Sequence, residues 1–464
     1  MAACVAAIFA LSTPAAIAIT LPITRFVTSC SDAGTGSLRA TVAASNEGDT
    51  VSMVELPTTY GCSTITLSTG AIAVSRNKLT LLGPGSGVTI TGKYGNARET
   101  DRVINHTGTG TVYLEYLTIT EGLLYSSTQT EKGGCIYSKG NVYLKHTTVS
   151  TCSNNAGNHY VEGGGIYTVG GLTAQYSTIT GNGIGSATTT GASGGGAFVG
   201  GDFTARFSTI SGNTVGGALG YSGALVLRGN VTIFASTISG NTASNGIGGI
   251  FIAGYPGDFA SITDSTISGN IAQAGTVGGV LSQIPISLSN STIAFNQAST
   301  NVSANAYYAP GLALNSFNES FIATLQSSLI SNNSYDNFYA EDDVSALNQN
   351  SHTVTVSGTN NLVGHAHQVG VLPSGTLTDV CALLGPLRNN GGPTQTHALL
   401  SQSPGIDQGN NIAGLFEDQR GLSSDTTPYP YPRISGNTPD IGAYEVQKAD
   451  IVFNSSFDGC VEQF

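Results

Sequence analysis

One pattern constrains the fold of this chain more than any other: its middle repeats. The segments are LTITEG (117–122), TTVSTCSN (147–154), STITGN (177–182), STISGN (208–213, 236–241 and 265–270), STIAFN (291–296) and SLISNN (328–333). Their apolar anchors are Ile119, Val149, Ile179, Ile210, Ile238, Ile267, Ile293 and Ile330, spaced 30, 30, 31, 28, 29, 26 and 37 residues apart. Some way before most anchors lie small residues followed by apolar ones: GGCIY, GGGIY, GGGAF, SGALV, GGIFI and GGVLS. A third short apolar stretch separates the two motifs, as in NVYLK, GLTAQ, DFTAR and NVTIF.

A unit of this length, read as three strands and three turns, cannot bury a core alone but buries a continuous one when stacked on its neighbours. A propeller blade needs four strands and a longer repeat, and the LxxLxL pattern of leucine-rich repeats is absent. Gly makes up 62 of 464 residues without recurring every third position, which excludes collagen. Charged residues are only 9% and apolar ones 40%, which argues against disorder and against a helical bundle. The expected fold is all-β: a single-stranded, right-handed parallel β-helix of about ten coils. The anchored coils, rising about 4.8 Å each, span about 40 Å. Residues 60–116 add two or three irregular coils.

Residues on successive coils form columns. Asn182, Asn213, Asn241, Asn270, Asn296 and Asn332 end a strand, where Asn tolerates a left-handed turn and its amide can bond to the next coil. A structural ladder is the simplest reading. After the Gly pairs run Tyr137, Tyr167, Phe198, Leu225, Phe251 and Leu281, flanked by Ile136, Ile166, Ala197, Ala224, Ile250 and Val280. The sequence leaves open which column faces inward. Core or covered rings are the simpler reading; outward rings at Tyr137, Tyr167, Phe198 and Phe251 would stack on sugars. A Thr-Xaa-Thr/Ser column (Thr118/Thr120, Thr178/Thr180, Thr209/Ser211, Thr237/Ser239, Thr266/Ser268) should point outward beside the inward Ile. Good strand formers on a polar face explain it most simply, with a flat array for glycan or ice as the functional reading.

The repeat resembles bacterial exported right-handed parallel β-helix proteins, including the GGAI/FxxN repeats of polymorphic outer-membrane proteins, in Gly249-Ile250 and Phe295-Asn296. The stretch CSDAGTGSLRATVAASNEGDT (30–50) places Leu38, Val42 and Asn46 on one helical face, a short helix that would cap the first coil. It resembles the SLR-type element of such proteins, with Arg39 and Asp49 as cap residues. NNGGPTQTHAL (389–399), SPGIDQG (403–409), DQRG (418–421), Arg433 and PDIGAYE (439–445) resemble the region called choice-of-anchor Q. This resemblance implies export and surface attachment, not a reaction. Asp407, Asp418, Arg420, Arg433, Asp440 and Glu445 are then expected to form salt bridges that close the last coil. IVFNSSFDGC (451–460) is similar to a proteobacterial sorting tail.

The expected organisation is a signal-like segment (1–18), an N-terminal cap with irregular coils (19–100), β-helix repeats (101–375), a choice-of-anchor-like region (376–446) and a tail (447–464). The start, MAACVAAIFALSTPAAIAIT, has an apolar run and a small-residue cleavage site at Ala16-Ile17-Ala18 without a basic flank. No segment is long and apolar enough for a transmembrane helix. These features place the protein outside the cell or on a bacterial surface. Removing Cys4 with the signal leaves six Cys. Cys30–Cys62 and Cys135–Cys152 are favoured as local pairs, and Cys381–Cys460 follows by elimination.

The net charge of −12 offers no basic footprint for nucleic acid. The segment GNARETDRVINH (95–106) holds the densest charged constellation, Arg98, Glu99, Asp101, Arg102 and His106, and it reads first as a loop entering a strand. Asp101, Arg102 and His106 are the catalytic candidates. Asp202, Asp258 and Asp264 lie at different phases of the repeat and should not converge. Glu341-Asp342-Asp343 reads as a solvated loop with Ca²⁺ as the cofactor it could take. His365 and His367 supply half a zinc site, so no metal centre is expected. The leading expectation is an exported protein that binds, adhesin-like, with a polysaccharide or host cell-surface glycan as partner and no catalysis. A polysaccharide lyase or glycoside hydrolase is the alternative, and a structural spacer or passenger the third. Nothing in the sequence sets the oligomeric state.

Overall fold

The computed structural model describes residues 21–92, 101–125, 131–155, 159–185, 191–217, 220–299, 308–335, 343–366, 372–421 and 430–447. The signal-like segment and the sorting-type tail after Gln447 lie outside the described residues. The chain is an all-β parallel solenoid of about ten turns, as the repeat requires. Sheet I has twelve strands, running from Thr24–Phe26 to Val354–Thr359. Sheet II also has twelve, from Thr64–Thr66 to Leu377–Thr378. Sheet III has eight short strands, from Leu123–Tyr125 to Ser334–Tyr335, and sheet IV has ten, from Ile72–Val74 to Val344–Leu347. One coil runs through Ile136–Ser138 (IV), Asn141–Lys145 (I), Thr148–Ser150 (II) and Ser153–Asn155 (III), then returns beside its start at Ile166–Thr168. Sheet III is a fourth strand per coil that the three-strand unit did not anticipate. It is only two or three residues long, too short for a hydropathy signal.

The anchors stack in register, Ile119↔Val149↔Ile179↔Ile210↔Ile238↔Ile267↔Ile293↔Ile330, and each is at most 1% exposed. Burying each such side chain stabilises the stack by roughly 1.5–3 kcal/mol. On sheet IV the inward column is Ile136, Ile166, Ala197, Leu225, Ile250 and Val280. Leu225 therefore belongs to the inward column and Val226 to the aromatic one, a one-residue correction to the sequence alignment. Ala224 stands where the neighbouring coil has the third glycine of its run, Gly196, so the alternation starts one residue later.

Two buried polar ladders knit the coils. Each ladder Asn accepts from the backbone N–H and the Nδ2 of the Asn one coil earlier: Asn182 bonds to Asn213 at 3.0 and 3.0 Å, Asn213 to Asn241 at 2.9 and 2.9 Å, and Asn241 to Asn270 at 3.1 and 2.8 Å. The series continues through Asn296 to Asn333. The last member is thus Asn333, not Asn332. The left-handed residue is the one before each ladder Asn: Gly181, Gly212, Gly240, Gly269, Phe295 and Asn332 all have φ between 57° and 63°. A ladder Asn must aim its amide along the solenoid, so the turn falls to its predecessor. The second ladder is the leading Ser of each repeat: Ser177, Ser208, Ser236, Ser265 and Ser291 each accept, through Oγ, from the backbone N–H one coil earlier at 3.1–3.2 Å.

The N-terminal helix, Leu38–Ala43, is capped by Ser37, whose side chain accepts from the N–H of Ala40. It buries Leu38 and Val42, but Asn46 lies past its end and is exposed, because the helix stops at Ala43 and Ser45 takes the inward place. Arg39 and Asp49 act as cap residues. Arg39 bonds Asp32 and the carbonyls of Gly70 and Ala71, and Asp49 accepts from Ile23, Asn46 and Arg25. A second helix, Leu56–Thr59, was not legible in the sequence.

Cys30–Cys62 and Cys135–Cys152 are paired as expected, while the third expected pair involves Cys460, outside the described residues. Cys135–Cys152 closes a short loop between sheets IV and III inside the core. Replacing both cysteines by alanine is expected to destabilise the flanking coils by about 3 kcal/mol, read as a lower midpoint in chemical denaturation.

The C-terminal segment departs from expectation in its position. Among the described residues, Val354–Thr359 remains the edge of sheet I, and the segment touches the last coil only from the side, through Asn410 to Thr359 and Asn360. Instead it lies along the outer face of sheet II over several coils. Thr237 Oγ1 donates to the carbonyl of Gln395 and Thr266 Oγ1 to Gln419 Oε1, while Thr292 Oγ1 accepts from the N–H of Ala443. The segment settles here because the corner beneath it is built from small or hydrogen-bonding residues: Ala235, Asp264, Asn290 and Ser327.

Candidate functional site

Among the described residues of the charged segment, Asp101, Arg102 and His106 each take separate partners. Asp101 accepts from the backbone N–H of Ala71 at 2.8 Å and of Arg102 at 2.7 Å. Arg102 pairs with Glu131 at 3.5 Å and lies 5.1 Å from the Tyr137 ring centroid. His106 is 0% exposed, on the inward side of sheet IV, with Nδ1 2.7 Å from Ser138 Oγ and Nε2 3.0 Å from the carbonyl oxygen of Arg76. Burial lowers its pKa. Arg98 and Glu99 lie outside the described residues.

The aromatic column of sheet IV faces outward and is partly covered. Tyr137, Tyr167 and Phe198 stack at 5.7 and 5.3 Å. A three-stranded sheet (Glu131–Lys132, Val161–Glu162, Ala192–Ser193) accompanies these coils. From it Lys132 Nζ reaches Tyr167 Oη at 3.0 Å and Glu162 at 2.7 Å. Tyr167 and Phe198 are buried, while Tyr137 and Phe251 are half-buried. Of the acidic loop, only Asp343 is described. It is buried rather than solvated, because its Oδ1 ends the Asn ladder, accepting from Asn333 at 2.7 and 3.0 Å. Burial raises its pKa to about 6. His365 is exposed and His367 lies outside the described residues. Among the described residues, no three His, Cys, Asp or Glu side chains gather as a metal shell would.

The charges of the C-terminal segment hold it down. Arg420 and Asp418 form a buried pair at 2.7 Å. Arg433 reaches across to Asp264 of the solenoid at 3.3 Å and donates to the carbonyls of Asp440 and Gly442. His397 lies in a crevice of about 390 Å³ with Ser239, Ser268, Phe295 and Leu387. Its Nδ1 is 2.7 Å from the carbonyl oxygen of Gly385, so Nδ1 carries the proton and Nε2 accepts from Ser268 Oγ at 2.7 Å. Burial pushes His397 down to about 4, and burial beside Asp440 pushes Glu445 up to about 7.

These shifts act with opposite signs on docking of the segment. A lowered histidine contributes stability that is complete above pH 6.5 and is lost as pH falls towards 4. A raised carboxyl contributes stability that is complete below pH 4.5 and is lost as pH rises through about 7. His397→Gln is therefore expected to leave the carboxyl slope alone, so that protease resistance of the segment rises from pH 7 to 4.5. A flat profile in that variant counts against the assignment.

The surface that remains open is the other half of sheet II with its corner to sheet I. There Thr118, Thr120, Thr148, Ser150, Thr178, Thr180, Thr209 and Ser211 are half-exposed, whereas Thr237, Ser239, Thr266, Ser268 and Thr292 are buried under the C-terminal segment. The corner carries an aromatic stack absent from the sequence reading: Tyr116, His146, Tyr176 and Phe207, with centroids 4.8, 5.1 and 4.8 Å apart and planes within 15° of parallel. All four hold φ between 47° and 55°, a left-handed conformation that costs each side chain about 1–2 kcal/mol. Tyr113 and Tyr143 add a second pair on sheet I at 5.4 Å. The available signal was the residue directly before the Ser/Thr/Leu that opens each repeat.

No family model matches the chain, and no curated protein matches it. Among solved structures it is similar to one described as the crystal structure of pectate lyase Pel9A, with 13% identity over 92% of this chain and 97% of that chain, at a TM-score of 0.44. A likeness of that depth says nothing of activity, and the parallel solenoid stands on the strand pairings of the chain itself.

Proposed function

We propose that this is an exported protein, held at a cell surface or secreted, that works by binding a polysaccharide or cell-surface glycan. One observation carries the reading: the corner column between sheets I and II changes character where cover begins. Beneath the C-terminal segment it is Ala235, Asp264, Asn290 and Ser327, small or hydrogen-bonding; on the open coils it is Tyr116, His146 and Tyr176, half-buried to exposed, and the stack ends on the buried Phe207 next to the covered coils. Strained rings on an open corner cost stability that internal packing of the C-terminal segment does not require, and aromatic rings beside hydroxyls are what sugars are bound by. Two disulfides fit an oxidising compartment. The blocks resembling a choice-of-anchor Q region belong to the same reading.

The test is a glycan-array screen of the chain without residues 1–18, with product analysis of every polysaccharide retained. Retention without chain cleavage supports binding. New chain ends would replace this reading with a lyase or hydrolase, and no retention of any glycan would favour a spacer or passenger.

A further inference from the structure

We infer that the open half of sheet II is the binding surface, and that it takes a neutral, hydroxyl-rich polysaccharide chain laid along the solenoid axis. This rests on the binding reading above and names its site and ligand class. The first support is continuity with an interface the molecule already makes. On the covered coils, outward hydroxyls of this column donate to or accept from polar groups at three separate points of the C-terminal segment: Thr237 to the Gln395 carbonyl, Thr266 to the Gln419 amide oxygen, and Thr292 from the Ala443 N–H. Thr148, Thr178 and Thr209 occupy the same register position on the open coils.

The second support is shape. One border of the open face is the aromatic stack. The other border is the left-handed turn after each strand, which is Glu121 and Thr151 on two coils and then Gly181 and Gly212, where a Cβ at Gly181 would meet nothing within 4 Å and one at Gly212 only atoms at 3.9 Å. The floor is two hydroxyl columns, repeated about every 4.8 Å by the coil spacing. Over the Gly181 and Gly212 coils an extended chain meets no side chain at this border.

The third support is charge. The hydroxyl floor itself carries none, Glu121 adds a carboxylate at its border, and the strand positions beside the corner are mixed, running Glu115, Lys145, Gln175 and Arg206 on successive coils. A polyuronate would need a row of cations. Hydroxyls that both donate and accept match a neutral glycan.

The experiment measures retention of a soluble neutral β-glucan and of polygalacturonate by the chain and by the triple variant Thr148→Val/Thr178→Val/Thr209→Val. Valine keeps the branched shape and strand preference, and circular dichroism reports the fold. We expect the neutral polymer alone to be retained, and its affinity to fall at least tenfold in the triple variant. Thr324→Val, on the outer face of sheet I far along the solenoid, should leave it unchanged. Should the triple variant fold poorly, Thr180→Arg alone blocks the floor and should give a comparable loss. Glycan binding that none of these floor substitutions weakens would overturn the site while leaving the binding reading intact. Retention of polygalacturonate alone would overturn the ligand class. No retention of any glycan, on these polymers or on the array, would overturn the binding reading and this inference together.

Discussion

Replacing Arg433 by methionine is expected to release the C-terminal segment from the side of the solenoid, at a cost of about 3–5 kcal/mol. Arg433 is 0% exposed and is held by Asp264 across the interface and by the carbonyls of Asp440 and Gly442 within the segment. Removing the guanidinium leaves Asp264 fully buried without its counter-charge. Burial already pushes the Asp264 carboxyl well above its usual range, and Asp418 adds to that push, so its one opposing influence is Arg433. The measurement is limited proteolysis with mass mapping, where residues 380–447 should become cleavable while the coils stay protected. A double variant, Arg433→Met/Asp264→Leu, should recover much of the loss, because both buried charges are then gone. Unchanged protection in the single variant would show that the segment is held by something other than this pair.

Asn241→Leu should be as damaging inside the solenoid. Asn241 accepts from the N–H and Nδ2 of Asn213, donates through Nδ2 to the Ile210 carbonyl and to Asn270 Oδ1, and is 0% exposed. Leucine strands the Asn213 donors and the Ile210 carbonyl at once. At 1–3 kcal/mol per stranded group, the expected loss is on the order of 4 kcal/mol in chemical denaturation. Asn241→Asp would keep the acceptor but lose the donor. The chain itself uses a carboxylate in this ladder only at its terminus, where Asp343 accepts from Asn333 and takes its other bond from the His365 N–H. A loss from Asn241→Leu no larger than that from an exposed Asn such as Asn230 would mean that the ladder contributes nothing beyond strand pairing.

The chain's own residues explain why some features were legible and others not. Ile119 through Ile330 recur at one phase with one chemistry, so a coil and its inward face could be read from spacing alone. The Asn ladder was legible for the same reason, since an amide that must both donate and accept tolerates few substitutes. The Leu225 slip arose because Ala224 stands in for a glycine and erases the start of the alternation. Tyr116, His146, Tyr176 and Phe207 were missed because the column then turns to Ala235, Asp264, Asn290 and Ser327, and so no residue type repeats along it.

Periodicity is a local property, and it determined the parallel solenoid, the inward anchor column and the capping helix, while closeness along the chain pointed to two of the disulfides. What the repeat could not encode is which outer face is covered. That depended on a segment about 150 residues away in sequence folding back onto Thr237, Thr266 and Thr292. Outward threonines look alike in sequence whether they meet solvent or a Gln419 amide. Only the tertiary structure divides one hydroxyl face into a buried half and an open one, because the cover comes from the partner segment and not from the strands that carry the hydroxyls.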